Sequence, residues 1–174
     1  MTYPTSPKFN AINLQSESPT LFSETVSGRM QSRKIGGQKW TFTATYPPLT
    51  RSEFNPVFAY VVALEGRHTV FTIVPTEIST SSGTPSGTVT CSAAALGAKS
   101  VTIAGLTGAL KAGDVVKFSG HTKVYMLTAD RSGNGAMAFT PALITAVTSS
   151  DTVTYSNVPF TVRLSNDIQG YKLG

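Results

Sequence analysis

The stretch QKWTFTATYPPLTRSEF constrains the fold more than any other part of the chain. Trp40, Phe42, Ala44 and Tyr46 alternate with Lys39, Thr41, Thr43 and Thr45. A period of two puts the first set on one face of a strand and the second on the other. Pro47 and Pro48 then stop the strand, because proline has no amide hydrogen to give to a ladder. Directly afterwards Thr50 and Glu53 have the spacing of a capping box, with Leu49 and Phe54 placed as a hydrophobic staple across it. Phe54, Val57, Phe58, Val61 and Val62 recur at helical spacing, which predicts a helix near residues 50–65 with Gly66 as its stop. Pro56 conflicts with the interior of that helix, since it removes a hydrogen bond and crowds the preceding turn. The expectation is a kink at Pro56 or a later start, followed by a strand in HTVFTIVP.

Around this unit the chain reads as mostly β. LFSETVSGRMQSRK holds one or two strands, and Gly36-Gly37 is a turn signal, so Gly28 to Tyr46 is expected to be a hairpin. Residues 1–20 carry Pro4, Pro7 and Pro19 among Ser, Thr and Asn. They read either as an extended arm that gains order by lying on something else or as a frayed terminus. Residues 76–88, TEISTSSGTPSGT, are low in apolar content and read as a linker or the neck of an insertion. Beyond them SVTIAG, DVVKFSG, TKVYMLTA, AMAFTP and DTVTYS are short strands separated by turn clusters, the pattern of a small barrel or sandwich. The predicted fold class is therefore mainly β, with two parts. Residues 21–78 form a β-sandwich-like domain with one helix, to which 159–174 are free to return. Residues 86–157 form a small β-barrel-like module.

Charge and cysteine content narrow the function classes. Only 13% of residues are charged, against roughly 25% in an average globular chain. A surface poor in charge and rich in Ser, Thr and Gly suits packing against other copies, and suits an ordinary β protein equally. The net charge of +5 invites a nucleic-acid reading, but the basic residues are scattered from Lys8 to Lys172. The one cluster, Arg29, Arg33, Lys34 and Lys39, precedes the aromatic run instead of interleaving with it, as a solvated strand face does. Cys91 is the single cysteine, so an intrachain disulfide and a multi-cysteine metal site are both excluded; in TVTCSAAA it reads as a small packed residue. The N-terminal MTYPTSPKFNAINL lacks a basic segment followed by an apolar run. No apolar stretch approaches the roughly 18 residues that span a bilayer. The expectation is a soluble protein made in the cytosol.

Candidate chemistry is sparse. His68 and His121 stand far apart, which argues against a metal site. No G-x-S-x-G elbow occurs, and Cys91 has no histidine near it in sequence. Glu53, Glu65, Glu77, Asp114 and Asp130 supply carboxylates, yet Glu53 reads as a cap and both aspartates fall in turns. SGNGA lies between two strands, the wrong context for a dinucleotide loop. An enzyme would need Asp114, His121 and Asp130 to converge, so no catalytic, metal or cofactor-binding residue is assigned. Among the aromatics, Tyr46, Phe54, Phe58, Tyr60 and Phe71 read as core. Trp40 stays a candidate for a protein interface, where tryptophan is enriched.

The passage RKIGGQKWTFTATYPPLTRSEFNPVFAYVVALEGRHTVFTI resembles a segment of distal-tail and baseplate-hub proteins of tailed bacteriophages. Trp40, Phe42, Leu49, Thr50, Glu53, Phe58, Gly66, Arg67 and Phe71 carry the resemblance, as an aromatic strand, a proline loop, a helix ending at glycine and a strand with Phe. GALKAGDVVKFSGHTKVYMLTAD, AMAFTPALITAV and NVPFTVRLS are similar to a β-rich module of phage virion proteins. The resemblance implies a structural virion protein, made in the host cytoplasm and located in the phage tail. It would form a ring, hexameric in the family, at the distal end of the tail tube and join tube to tip or baseplate. Its partners would be copies of itself and other tail or baseplate proteins, with genome DNA passing through the lumen. Neither enzyme activity, a cofactor nor membrane insertion is implied. The candidate assembly residues are Arg29, Arg33, Lys34, Trp40 and Glu53. The alternative is a glycan-binding module on the virion, which exposed aromatics such as Tyr125 or Tyr155 would favour.

Overall fold

Two strand pairs follow one another in residues 11–45 as one long antiparallel ribbon. β1 (Ala11–Glu17) pairs with β4 (Lys39–Thr45), while β2 (Thr20–Glu24) pairs with β3 (Met30–Lys34). This computed structural model describes residues 3–171; residues 1–2 and 172–174, the ends of the expected arm and returning segment, lie outside them. The hairpin turn is at Thr25–Arg29, where the Thr25 amide donates to the Arg29 carbonyl at 3.0 Å and Gly28 takes φ +76°. That corrects the expected turn at Gly36-Gly37, because β3 and β4 do not pair with each other. The register explains the glycines. Glu17 faces Lys39 and Thr20 faces Lys34, so Ser18 and Pro19 oppose the longer run Ile35, Gly36, Gly37 and Gln38. A bulge of this kind places surplus residues on one strand, and glycine accommodates the bend.

Along β1 and β4 the period-two reading holds: Ile12, Leu14, Trp40, Phe42 and Ala44 are half-buried, and the residues between them are exposed. The stretch read as an arm thus contains a paired strand. It also holds Tyr3, whose amide donates to the Thr72 carbonyl at 2.8 Å and whose ring lies 5.4 Å from Tyr60 and 5.9 Å from Phe71.

Helix α1 (Arg51–Val62) starts where the capping box places it. The Thr50 amide and hydroxyl both donate to one oxygen of Glu53, at 2.9 and 2.6 Å. Those bonds hold the Glu53 carboxyl below its ordinary range. Pro56 sits inside the helix without ending it. It lies in the second turn, so the carbonyl it deprives is that of exposed Ser52, which water reaches.

After α1 come β5 (Phe71–Ile73) and the single turn α2 (Thr76–Ser79). Then follow β6 (Val89–Cys91), β7 (Ser100–Ala104), β8 (Ala109–Leu110), β9 (Val115–Phe118), β10 (Tyr125–Leu127), β11 (Arg131–Ser132), β12 (Gly135–Thr140), β13 (Thr152–Thr154) and β14 (Phe160–Val162). Six of these close a barrel in the order β10-β12-β7-β6-β13-β9, with β9 returning to β10. Inward residues alternate along its strands, as in Val101 and Ile103 of β7 or Met137 and Phe139 of β12. Phe118, Tyr125 and Phe139 meet edge to face with centroids 5.3–5.5 Å apart, the arrangement aromatic quadrupoles favour. The fold is mainly β with one substantial helix, as the patterning predicts.

β5 pairs antiparallel with β14, Phe71 against Val162 and Ile73 against Phe160. The barrel is therefore an insert between two partnered strands. At its neck the Val158 amide donates to the Ser79 carbonyl at 3.2 Å. Past β14 the chain returns to α1: Tyr171 packs 5.0 Å from Phe54 and 4.7 Å from Phe58. Arg67 clasps Asp167 through its amide, 3.0 Å, and through a two-toothed guanidinium contact at 2.6–3.1 Å.

The guanidinium and amide bonds from Arg67 hold the Asp167 carboxyl down to about 2 from an ordinary 3.8. A depressed carboxyl stabilises the fold above its unfolded pKa and loses that effect as pH falls through the folded one. The clasp should accordingly open between pH 4 and 2. A carboxyl-carbon NMR titration should give a midpoint near 2 for Asp167, and Arg67→Gln should return it towards the ordinary value. A wild-type midpoint near 4 would contradict the clasp.

Candidate assembly surface

The chain divides into two compact units, the ribbon Lys8–Pro48 and the remainder. The outer half of the ribbon, β2 and β3, is exposed at every residue. Its register sorts the side chains by face, since residues directly opposite one another share a side. Phe22, Glu24, Met30, Ser32 and Lys34 lie on one face, and Leu21, Ser23, Gln31 and Arg33 on the other. Leu21, Phe22, Met30 and Ile35 are 57–66% exposed, and Val26 at the turn is fully exposed. A two-stranded hairpin in water is marginal at best. Here each face carries a large apolar group more than half exposed, and among the described residues β2 and β3 pair only with each other, leaving their outer edges as unpaired backbone.

Three of the five candidate residues gather on this half. Arg29 closes the turn, its amide held by the Thr25 hydroxyl at 3.1 Å. Arg33 and Lys34 follow on opposite faces of β3. Among the described residues these three cations form no ion pair, whereas Lys39, on the inner half, pairs with Glu17 at 3.0 Å. Trp40 stands half-buried on β4 opposite Ser16. Glu53 belongs elsewhere, since its carboxylate is used by the helix cap. Sequence reasoning passed over Leu21, Phe22, Met30 and Ile35. The available signal was the adjacent pair Leu21-Phe22, which in a strand must point to both faces at once.

The rival readings find little support in the barrel. Tyr125 is wholly buried, and Tyr155 packs on the core with its hydroxyl donating to the Gly87 carbonyl at 2.7 Å. Neither is an exposed sugar platform. Asp114 is engaged by Ser81, Ser82 and the Lys111 amide. Asp130 holds the Lys111 ammonium at 2.8 Å and the Ala112 amide at 2.9 Å. His121 instead bonds Tyr125 at 3.0 Å, so no shared hydrogen-bonded cluster joins it to the two aspartates. Among the described residues no group of three His, Cys, Asp or Glu side chains is placed to hold a metal. No described helix is long and apolar enough to cross a membrane.

Comparison with known proteins bears on the barrel and on the chain as a whole. Residues 79–158 match the family model of the distal tail protein pb9, B domain, a span that begins and ends at the hydrogen-bonded neck residues Ser79 and Val158. The chain is also similar to the distal tail protein pb9 of Escherichia phage T5, 28% identical over 165 residues that cover 91% of this chain and 80% of that protein. With residues 79–158 matching the B domain and similarity spanning most of the rest of the chain, the chain resembles the distal tail protein pb9 family of phage tail structural proteins along nearly its whole length.

Proposed function

We propose that the chain assembles into a ring at the distal end of a phage tail, hexameric as the family resemblance implies, and joins the tail tube to the tip or baseplate without catalysing a reaction. The observation that carries this reading is the β2–β3 half of the ribbon, exposed at every residue and carrying the large apolar side chains of Leu21, Phe22 and Met30 in that exposed position. In a head-to-tail ring each copy offers one surface and receives another, and closure leaves no copy unsatisfied. Laying the ribbon on the next copy would remove Leu21, Phe22, Met30 and Ile35 from water and complete an otherwise marginal pair of strands. Arg29, Arg33 and Lys34 would supply charge selection at the same contact, and Trp40 an aromatic anchor. The segment 86–157 would act as a separate β-module carried on the ring.

Sedimentation of the full chain, alone and with its tail-tube partner, tests this. The wild type should form a discrete closed oligomer. Phe22→Glu should weaken association by roughly 2–4 kcal/mol, the range of an interface anchor, while leaving the melting temperature of the protomer unchanged. A wild type that stays monomeric in both settings sinks the ring. A Phe22→Glu variant that assembles normally removes the ribbon from the contact.

A further inference from the structure

The Ser/Thr/Gly-rich stretch after α2 reads in sequence as a linker, yet it is fastened along its length. Asp114, buried just before β9, receives the Ser82 amide and hydroxyl on one oxygen, each at 2.8 Å. Its other oxygen takes the Lys111 amide at 2.8 Å and the Ser81 hydroxyl. Beyond the serines the backbone runs against residues 105–109. The Thr84 amide donates to the Ala109 carbonyl at 3.1 Å, and Ser86 and Thr107 exchange bonds at 2.8 and 2.9 Å. The approach is so close that a Cβ on Gly83 would strike the Ala109 carbonyl oxygen, and one on Gly108 the carbonyl oxygen of Thr84. At the root, the Ser79–Val158 bond ties the entering chain to the leaving one.

We propose that residues 79–88 are a strap, clasped by Asp114, that locks the barrel in one orientation on the β5–β14 pair. A Ser/Gly-rich linker left to itself is a flexible coil, and its barrel would swing. Ordering such a stretch costs conformational entropy at every residue. The carboxylate's bonds and the backbone pairs offset that cost. Burial works against a charged Asp114, but the hydrogen bonds from Lys111, Ser81 and Ser82 together outweigh it, so the carboxyl lies below its ordinary range and stays ionised at neutral pH. Lys111 interacts electrostatically with Asp114, but its ammonium is hydrogen-bonded to Asp130. The clasp is therefore made mainly of neutral donors and is little affected by salt. The strap is intrinsic to one protomer and owes nothing to ring formation.

Hydrogen exchange read by mass spectrometry on the full chain tests the clasp. In the wild type, peptides covering 80–88 should exchange about as slowly as β7 and β12. Asp114→Asn should speed the strap roughly tenfold or more while β7 and β12 hold, since local openings are separable from global ones. Asp130→Asn should leave the strap unchanged. If Asp114→Asn does not fold, Ser81→Ala with Ser82→Ala removes the clasp from the other side. A spin-label distance between Ser52→Cys on α1 and Lys99→Cys on the barrel, with Cys91→Ser, should be single and narrow in the wild type and broad once the clasp is cut. Strap exchange at the rate of open coil in the wild type, or strap exchange and label distance that neither clasp variant changes, would overturn the proposal.

Discussion

Phe118→Ala is expected to lower the stability of the barrel by about 3–5 kcal/mol, the range for emptying a fully buried aromatic site. Phe118 is 0% exposed and meets Tyr125, Phe139 and the ring of His121 at 5.4, 5.5 and 5.8 Å. Its neighbours are held by strands paired on both sides around a closed barrel, so collapse into the cavity is restricted and the cost should fall towards the upper end. Urea unfolding followed by near-ultraviolet circular dichroism measures it. A loss under about 1 kcal/mol would mean that the three rings are not packed as described.

Phe71→Ala should cost a comparable amount, about 3–5 kcal/mol, on the β5–β14 pair of the same unit. Phe71 is buried on β5, paired with Val162 of β14, and faces the rings of Tyr3 and Tyr60 at 5.9 and 6.0 Å. Removing residues 1–7 deletes Tyr3 and should reproduce part of that loss, so truncation at the N-terminus weakens folding as well as any assembly. Phe22→Ala is the informative contrast. The same chemical change on the ribbon should move protomer stability by less than about 0.5 kcal/mol, because Phe22 is exposed and buries little to lose. Chemical denaturation of the three variants at one low concentration checks the order, and a Phe22 variant as damaged as the other two would show that the ribbon is packed within the protomer.

Much of this was legible in the sequence. Thr50 and Glu53 marked the start of α1 because a capping box is a contact between residues three apart, and local contacts are written in local sequence. Trp40, Phe42 and Ala44 marked the inner face of β4 for the same reason, since the strand period is intrinsic to the backbone. The short strands and turns of 86–157 announced a small barrel or sandwich, which the structure closes as a six-stranded barrel. Of the residues proposed for assembly, Arg29, Arg33 and Lys34 stood out by charge, whereas Leu21, Phe22, Met30 and Ile35 were passed over.

What the sequence by itself determined was the kind and period of the elements with strong local signals, β4, α1 and the alternating strands of the barrel. Which strands met was decided only by tertiary structure. Gly36-Gly37 is a turn signal on its own, yet pairing β1 with β4 and β2 with β3 made it a bulge and moved the turn to Thr25–Arg29. The Ser/Gly stretch is a linker by composition, and Asp114 together with the backbone of Thr107 and Ala109, each bonded to a residue more than 20 positions away, fastens it. Exposure of the ribbon follows the same rule, because an apolar side chain is core only if another element covers it. Covering is a property of distant segments, and no period along the chain records it.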